Sequence, residues 1–260
     1  MSKGILSDIS RDYICKLIEK DQRLDGRART EFRKVEIEAG YIGTAEGSAS
    51  VRLGNTRAVV GIKSILGAPY ADTPDTGVLS TNVELIPLAS ENFESGPPGR
   101  EAIEIARVVD RGIREGKAID MGKLCVTPSE EVWINFIDIH VLDYDGNLFD
   151  CANIGANAAL KSAIVPASQH DKGEDYPFPV QHYPISATFV KINGRLVVDP
   201  TYDEESVASS RLTITTVENG NLCAMQKGLG GSFTRQEIAQ AMEIAIERGK
   251  KVRSEILNIG

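Results

Sequence analysis

Four carboxylates crowd into seven residues of the stretch "DPTYDEESVA": Asp199, Asp203, Glu204 and Glu205. Such a cluster suits three histories. It can offer oxygen ligands to a hard cation such as magnesium, Asp199 joining Asp203 or Glu205. It can supply the paired acid and base of an enzyme, or it can be a site that has lost its chemistry. A magnesium site lacks a third, separated ligand, and Asp203 and Glu204 could equally be a solvated acidic loop. The stretch just before it, "ISATFVKINGRLVVD", alternates β-branched residues around Asn193-Gly194, which predicts a hairpin whose second strand ends at Asp199.

A second group with chemical potential is cationic. In "REAIEIARVVDRGIRE", Arg100, Arg107, Arg111 and Arg114 fall on one stripe of a helix predicted over Glu101–Glu115, opposite the apolar face of Ile105, Val108, Val109, Gly112 and Ile113. Forked guanidinium donors suit phosphate. The alternative is a solvated face in which Glu104 and Asp110 neutralise these arginines. Other candidates carry less. His140 and Asp138 sit in a strand that is apolar on both faces, where a satisfied histidine is expected. Cys15, Cys125, Cys151 and Cys223 are scattered without a CxxC pair, and the histidines at 140, 170 and 182 show no ligand spacing, so no zinc site is expected. The loop "GLGGSF" lacks the phosphate-loop patterns and reads as a plain connection.

The elements that must position these groups follow from periodicity. An amphipathic helix is predicted from Ser7 to Lys20, broken by "RLDGR". Strands are predicted in "FRKVEIEAG", "GSASVRLGN", "TRAVVGIKSIL", "VLSTNVELIPLA" and Glu131–Leu142, the last apolar on both parities as a central strand should be. A small-residue helix is expected over Phe149–Ala163. The Pro-rich stretch 167–183 reads as a linker, followed by the hairpin, two strands across Asn219-Gly220, and a last helix opened by the capping box Thr234–Glu237. The expected layout is an N-terminal helix and extension at 1–30, a first lobe at 31–166 and a second lobe at 184–260. Its class is α+β, two lobes of mixed sheet packed with helices.

Composition bounds the function. With 260 residues, a net charge of −8 and a pI near 5.1, the chain can bury a sizeable core, and its whole surface is not a nucleic-acid binder. Any RNA site must be a local patch or be completed by a partner. Without an apolar run of membrane length or a signal segment, a soluble, cytoplasmic protein with no membrane association is expected.

The order of the pieces resembles the ribonuclease PH family over nearly the whole chain. The resemblance is carried by "DGR" at 25–27 before "FRKVEI", "GSASVRLGNTRAVVGIK" at 47–63, "ARVVDRGIRE" at 106–115, "DIHVLDYDGNLFDCANIGANAALKSAIVP" at 138–166 and "VVDPTYDEES" at 197–206. Within the family it is most similar to the archaeal exosome ring subunit that alternates with the catalytic one. The resemblance implies a ribonuclease PH-like fold and a hexameric ring that removes nucleotides from RNA 3′ ends by phosphorolysis. It implies as partners a catalytic ribonuclease PH-like subunit, RNA-binding cap proteins and single-stranded RNA.

Catalytic members carry two aspartates six positions apart, and the matching positions here are Asp199 and Glu205. The extra methylene of Glu205 misplaces its carboxylate, and about 1 Å at a reacting centre costs on the order of a hundredfold in rate. Those members also follow the Asp-Gly turn with Thr or Ser and then the Arg that holds phosphate, where this chain has Asn147 and Leu148. The expectation is a non-catalytic subunit with no cofactor of its own, the partner's site using inorganic phosphate. RNA binding is expected at Arg107, Arg111 and Arg114. The alternatives are a self-sufficient phosphorolytic exoribonuclease and a scaffold without RNA contact.

Overall fold

The computed structural model describes residues 8–258. The first helix, α1 (Asp8–Glu19), is followed by the positive-φ residue Asp21; Ser7 lies outside the described residues. Strands β1 (Val35–Ala39), β2 (Gly47–Leu53), β3 (Thr56–Gly67) and β4 (Val78–Leu85) precede helix α2 (Arg100–Glu115). Strands β5 (Cys125–Thr127) and β6 (Glu131–Asp143) then lead to helix α3 (Leu148–Ser162). The short strands β7 (Ile164–Val165) and β8 (Tyr176–Pro177) pair with each other. They are followed by β9 (Ile185–Ile192), β10 (Arg195–Val198), α4 (Tyr202–Val207), β11 (Ser210–Thr216), β12 (Leu222–Gly228) and α5 (Arg235–Leu257).

The first sheet runs β1-β2-β3-β6-β4, antiparallel except for β4 on β6, with β5 also on β6. The second runs β10-β9-β11-β12. Between them lies α3, which packs against β2 and β3 of one sheet and β9 of the other. Its small residues allow this approach: a Cβ on Gly155 would stand 2.7 Å from Val60 Cγ2. Every residue of α3 from Leu148 to Leu160 is buried, so polar groups there must find partners inside the protein.

Local chemistry sets the rest. Asn193 and Gly194 have φ of 46° and 76°, the left-handed pair of a tight two-residue hairpin turn. Thr234 and Glu237 form the predicted capping box of α5, whose Ala241, Ala245, Val252 and Ile256 are buried. The stretch 167–183 lies against the first core, with Phe178 buried and a bridge from Ile119 to Val180. Helix α1 joins the second lobe, Ile14 and Ile18 packing with Val190, Ile192, Val197 and Val207.

Two local readings change. The acidic stretch is a helix, α4, rather than a loop, because Thr201 and Glu204 cap each other's backbone groups. Glu204 is accordingly not solvated: it is 1 % exposed and takes both oxygens to Arg23. His140 sits at the rim, 3.3 Å from Glu84.

Candidate functional site

The carboxylate cluster comes together where β10 ends, beside the turn before α3. Asp199 has φ of 44°, a conformation sparsely used by residues other than glycine, and it is completely buried. That backbone turns its carboxylate into a ring of donors. Oδ1 accepts from Arg33 Nη2 at 2.7 Å and Asn147 Nδ2 at 2.6 Å; Oδ2 accepts from the Arg33 amide at 2.7 Å, Arg33 Nε at 3.0 Å and Arg27 Nη1 at 2.9 Å. Five donors occupy two oxygens, which leaves no lone pair for a cation or a substrate proton. Burial raises the Asp199 pKa, but Arg33, Asn147 and Arg27 outweigh it and hold the group at about 2.

Arginines from the segment before β1 complete the cage. Arg33 also donates to the carbonyls of Asp145 and Pro200, and Arg23 donates to the carbonyls of Val198 and Asp199. The segment quoted for its "DGR" therefore clamps the turn after β10. Gly146 permits the closeness: a Cβ there would meet Thr201 C at 2.4 Å.

Asn147 links three carboxylates. It caps α3, its side chain bonds Asp150 Oδ2 at 2.9 Å as well as Asp199, and its amide donates to Glu205 Oε1 at 2.9 Å. Glu205 takes its other bond from the Tyr144 hydroxyl at 2.8 Å. Burial drives Glu205 up to about 6 despite those donors, with Glu101 adding to the rise. Burial likewise lifts Asp150 to about 6, although Ser186 and Thr188 bond it. The Tyr144 phenol is raised by burial and by Glu205, so it stays a donor. Leu148 is 3 % exposed and belongs to the first core. The position after Asn147 is therefore filled by a packed side chain with no group for an anion.

Of the residues singled out in the sequence, the structure brings Asp199, Glu205, Asn147 and Leu148 together; Asp203 is half-buried on α4 and stands outside the cage. Among the described residues no group of three or more His, Cys, Asp or Glu is placed to hold a metal. Sequence reasoning missed the Asp199 roles of Arg23, Arg27 and Arg33. Their only signal was four arginines within eleven residues ahead of β1.

The arginine stripe of α2 is a different environment. Arg107 and Arg111 are exposed. Glu104, the neutralising candidate for Arg107, pairs with Arg211 instead, and Arg107 has no polar partner among the described residues. Among the described residues Arg111 reaches only Gln226 Oε1, at 3.4 Å. Arg114 is held by Asp110 at 2.6 Å and by the Leu79 carbonyl.

Two profiles of the 3′ exoribonuclease family match, domain 1 over residues 31–166 and domain 2 over residues 182–248. The chain belongs to the ribonuclease PH family. Family relatives named exosome complex component Rrp42 align over most of both chains. That of Thermoplasma acidophilum is 51 % identical over 252 residues, covering 97 % of this chain and 96 % of the relative. That of Pyrococcus furiosus is 49 % identical, covering 98 % and 95 %. A chain of the Archaeoglobus fulgidus exosome with RNA bound to the active site superposes with a TM-score of 0.94 at 48 % identity, over 97 % of this chain and 99 % of that one. At 16 % identity, rice Rrp46 shares the fold, with a TM-score of 0.71, 91 % of this chain and 99 % of that one being covered. The α+β, ribonuclease PH-like architecture expected from the sequence is thus the one present.

Proposed function

We propose that this ribonuclease PH-family chain is a non-catalytic ring subunit of an exosome that degrades RNA 3′ to 5′ by phosphorolysis. The carrying observation is the saturated carboxylate of Asp199. A group with five donors on two oxygens and a pKa near 2 cannot take a proton near neutral pH or coordinate a cation. Leu148 supports the same reading, since an apolar side chain cannot neutralise phosphate. Glu205 and Asp150, each raised to about 6, are the groups there with pKa values useful for acid–base work, and both oxygens of each are already bonded.

The chain's positive role is to shape the catalytic partner's site and to guide RNA. Arg107 and Arg111 are the residues proposed to hold RNA phosphates, because their donors are free or weakly engaged; Arg114 follows behind them. The partner is a catalytic ribonuclease PH-like subunit alternating in a hexameric ring, whose site uses the inorganic phosphate, with RNA-binding cap proteins above. The likeness to relatives named as exosome components supports this assignment.

The test is release of nucleoside diphosphates from a single-stranded RNA 3′ end with added phosphate. The lone chain should release none, and the chain mixed with its catalytic partner should be active. Release by the lone chain would return Asp199 and Glu205 to chemistry.

A further inference from the structure

On α2 an acid stands three residues to each side of Arg107, Glu104 before it and Asp110 after it. Either could close an ion pair with Arg107 along the helix, and Glu104 is also four residues from Arg100. Neither pair forms. Asp110 accepts from Arg114 Nε at 2.6 Å and from the Thr81 hydroxyl at 3.3 Å. Glu104 reaches across to Arg211 on β11, whose Nη2 donates to its Oε1. Arg100 and Arg107 are thereby left without a polar partner among the described residues.

Arg211 is wedged in place for that contact. Its guanidinium lies 4.1 Å over the Phe149 ring of α3, and a Cβ at Gly228 of β12 would stand 2.7 Å from its Nη2. Its Nε is buried without an acceptor, and the bond to Glu104 is its one side-chain hydrogen bond among the described residues. Ring stacking and close packing fix the guanidinium independently of Glu104, so the acid follows the arginine. Arg211 also faces Glu101 and Glu205: burial raises both carboxyls, and Arg211 is among the groups that oppose the rise.

We propose that Arg211 is a positioning residue for RNA binding: it holds Glu104 off Arg107 and Arg100 and so keeps their charge available to phosphate. This role rests on the RNA contact proposed above for Arg107. The test turns on two variants at one position. Glu104→Asp keeps the charge but is one methylene shorter, so its carboxylate falls short of Arg211 and still reaches Arg107 along the helix. Glu104→Gln removes the charge. In the assembled ring at low salt, Glu104→Asp should bind single-stranded RNA at least about twofold more weakly than the parent, the strength of one exposed helix pair. Glu104→Gln should bind as well as the parent or better. Arg211→Gln should lose affinity as Glu104→Asp does. Adding Glu104→Gln to it should restore that loss by more than Glu104→Gln contributes to the parent.

Equal RNA affinities of the parent, Glu104→Asp and Glu104→Gln would overturn the proposal. So would a loss in Arg211→Gln that Glu104→Gln does not repair, which would make Arg211 an RNA contact itself or a plain structural residue. Should Arg211→Gln fail to join the ring, the two Glu104 variants decide alone, since both leave Arg211 facing Glu101 and Glu205. RNA affinity that survives Arg107→Glu with Arg111→Glu would overturn the RNA reading of the stripe and this inference with it. Affinity lost in that double variant but indifferent to the residue at 104 removes this inference alone.

Discussion

The Asp199 cage and the α2 stripe both concentrate charge, and they differ in how much of it is spent. Asp199 is buried with every acceptor position used, so its charge holds the turn after β10 to the segment before β1. Arg107 is exposed with no polar partner among the described residues. Paired buried charge fixes structure, while unpaired exposed charge is available to a ligand. The same residue types thus separate into scaffold and binding surface by their surroundings.

The largest effect that tests this contrast is on stability. Asp199→Ala strands Arg33 without its carboxylate, and breaking a buried pair from one side costs about 3–5 kcal/mol. Denaturant unfolding should show that loss, whereas Arg107→Glu with Arg111→Glu should stay within about 0.5 kcal/mol of the parent. A cage variant as stable as the parent would mean that Asp199 is not structural.

How far this contrast could be read from the sequence depended on the range of the contacts. The hairpin at Asn193-Gly194 and the cap at Thr234–Glu237 are local devices and were legible. The Thr201–Glu204 capping pattern was also present, but the density of acids masked it as a loop. The Asp199 cage was not legible, because Arg33 meets Asp199 across 166 residues. Leu148 was recognised as a departure from the family pattern; its burial in the first core came only from the packing of α3.

A smaller effect lies in pH. Asp199 is held at about 2 against an ordinary 3.8, so its stabilisation is fully present above about pH 4 and is lost as pH falls through 2. The shift is worth on the order of 2 kcal/mol. Asp150 and Glu205 act oppositely. Raised to about 6, they keep protons in the fold that the unfolded chain has released, so stability declines as pH climbs from about 4 to 6. Unfolding measured across pH 2–7 should show a maximum near pH 4 from these groups. Glu205→Gln should flatten part of the decline above it; an unchanged profile in that variant would mean that Glu205 is ionised in the fold at ordinary pH.

On the open side of the comparison, the assembled ring carrying Arg107→Glu and Arg111→Glu should bind single-stranded RNA more weakly. If each arginine makes one phosphate contact, the salt dependence should flatten by about 0.7 per residue. Unaltered affinity and slope would leave the stripe without an RNA role and favour the scaffold alternative.

The smallest effect separates arginines within the stripe itself. Arg114 is tied to Asp110 at 2.6 Å and to the Leu79 carbonyl, so reaching a phosphate would first require breaking contacts it already has. Arg107 has nothing to break. Alanine at 107 should therefore weaken RNA binding more than alanine at 114, although both residues carry the same charge on the same helix. Equal losses in filter-binding titrations would mean that assembly releases Arg114 from Asp110. Pairing in the isolated chain would then no longer predict which arginines are available, and the contrast with the Asp199 cage would rest on burial alone.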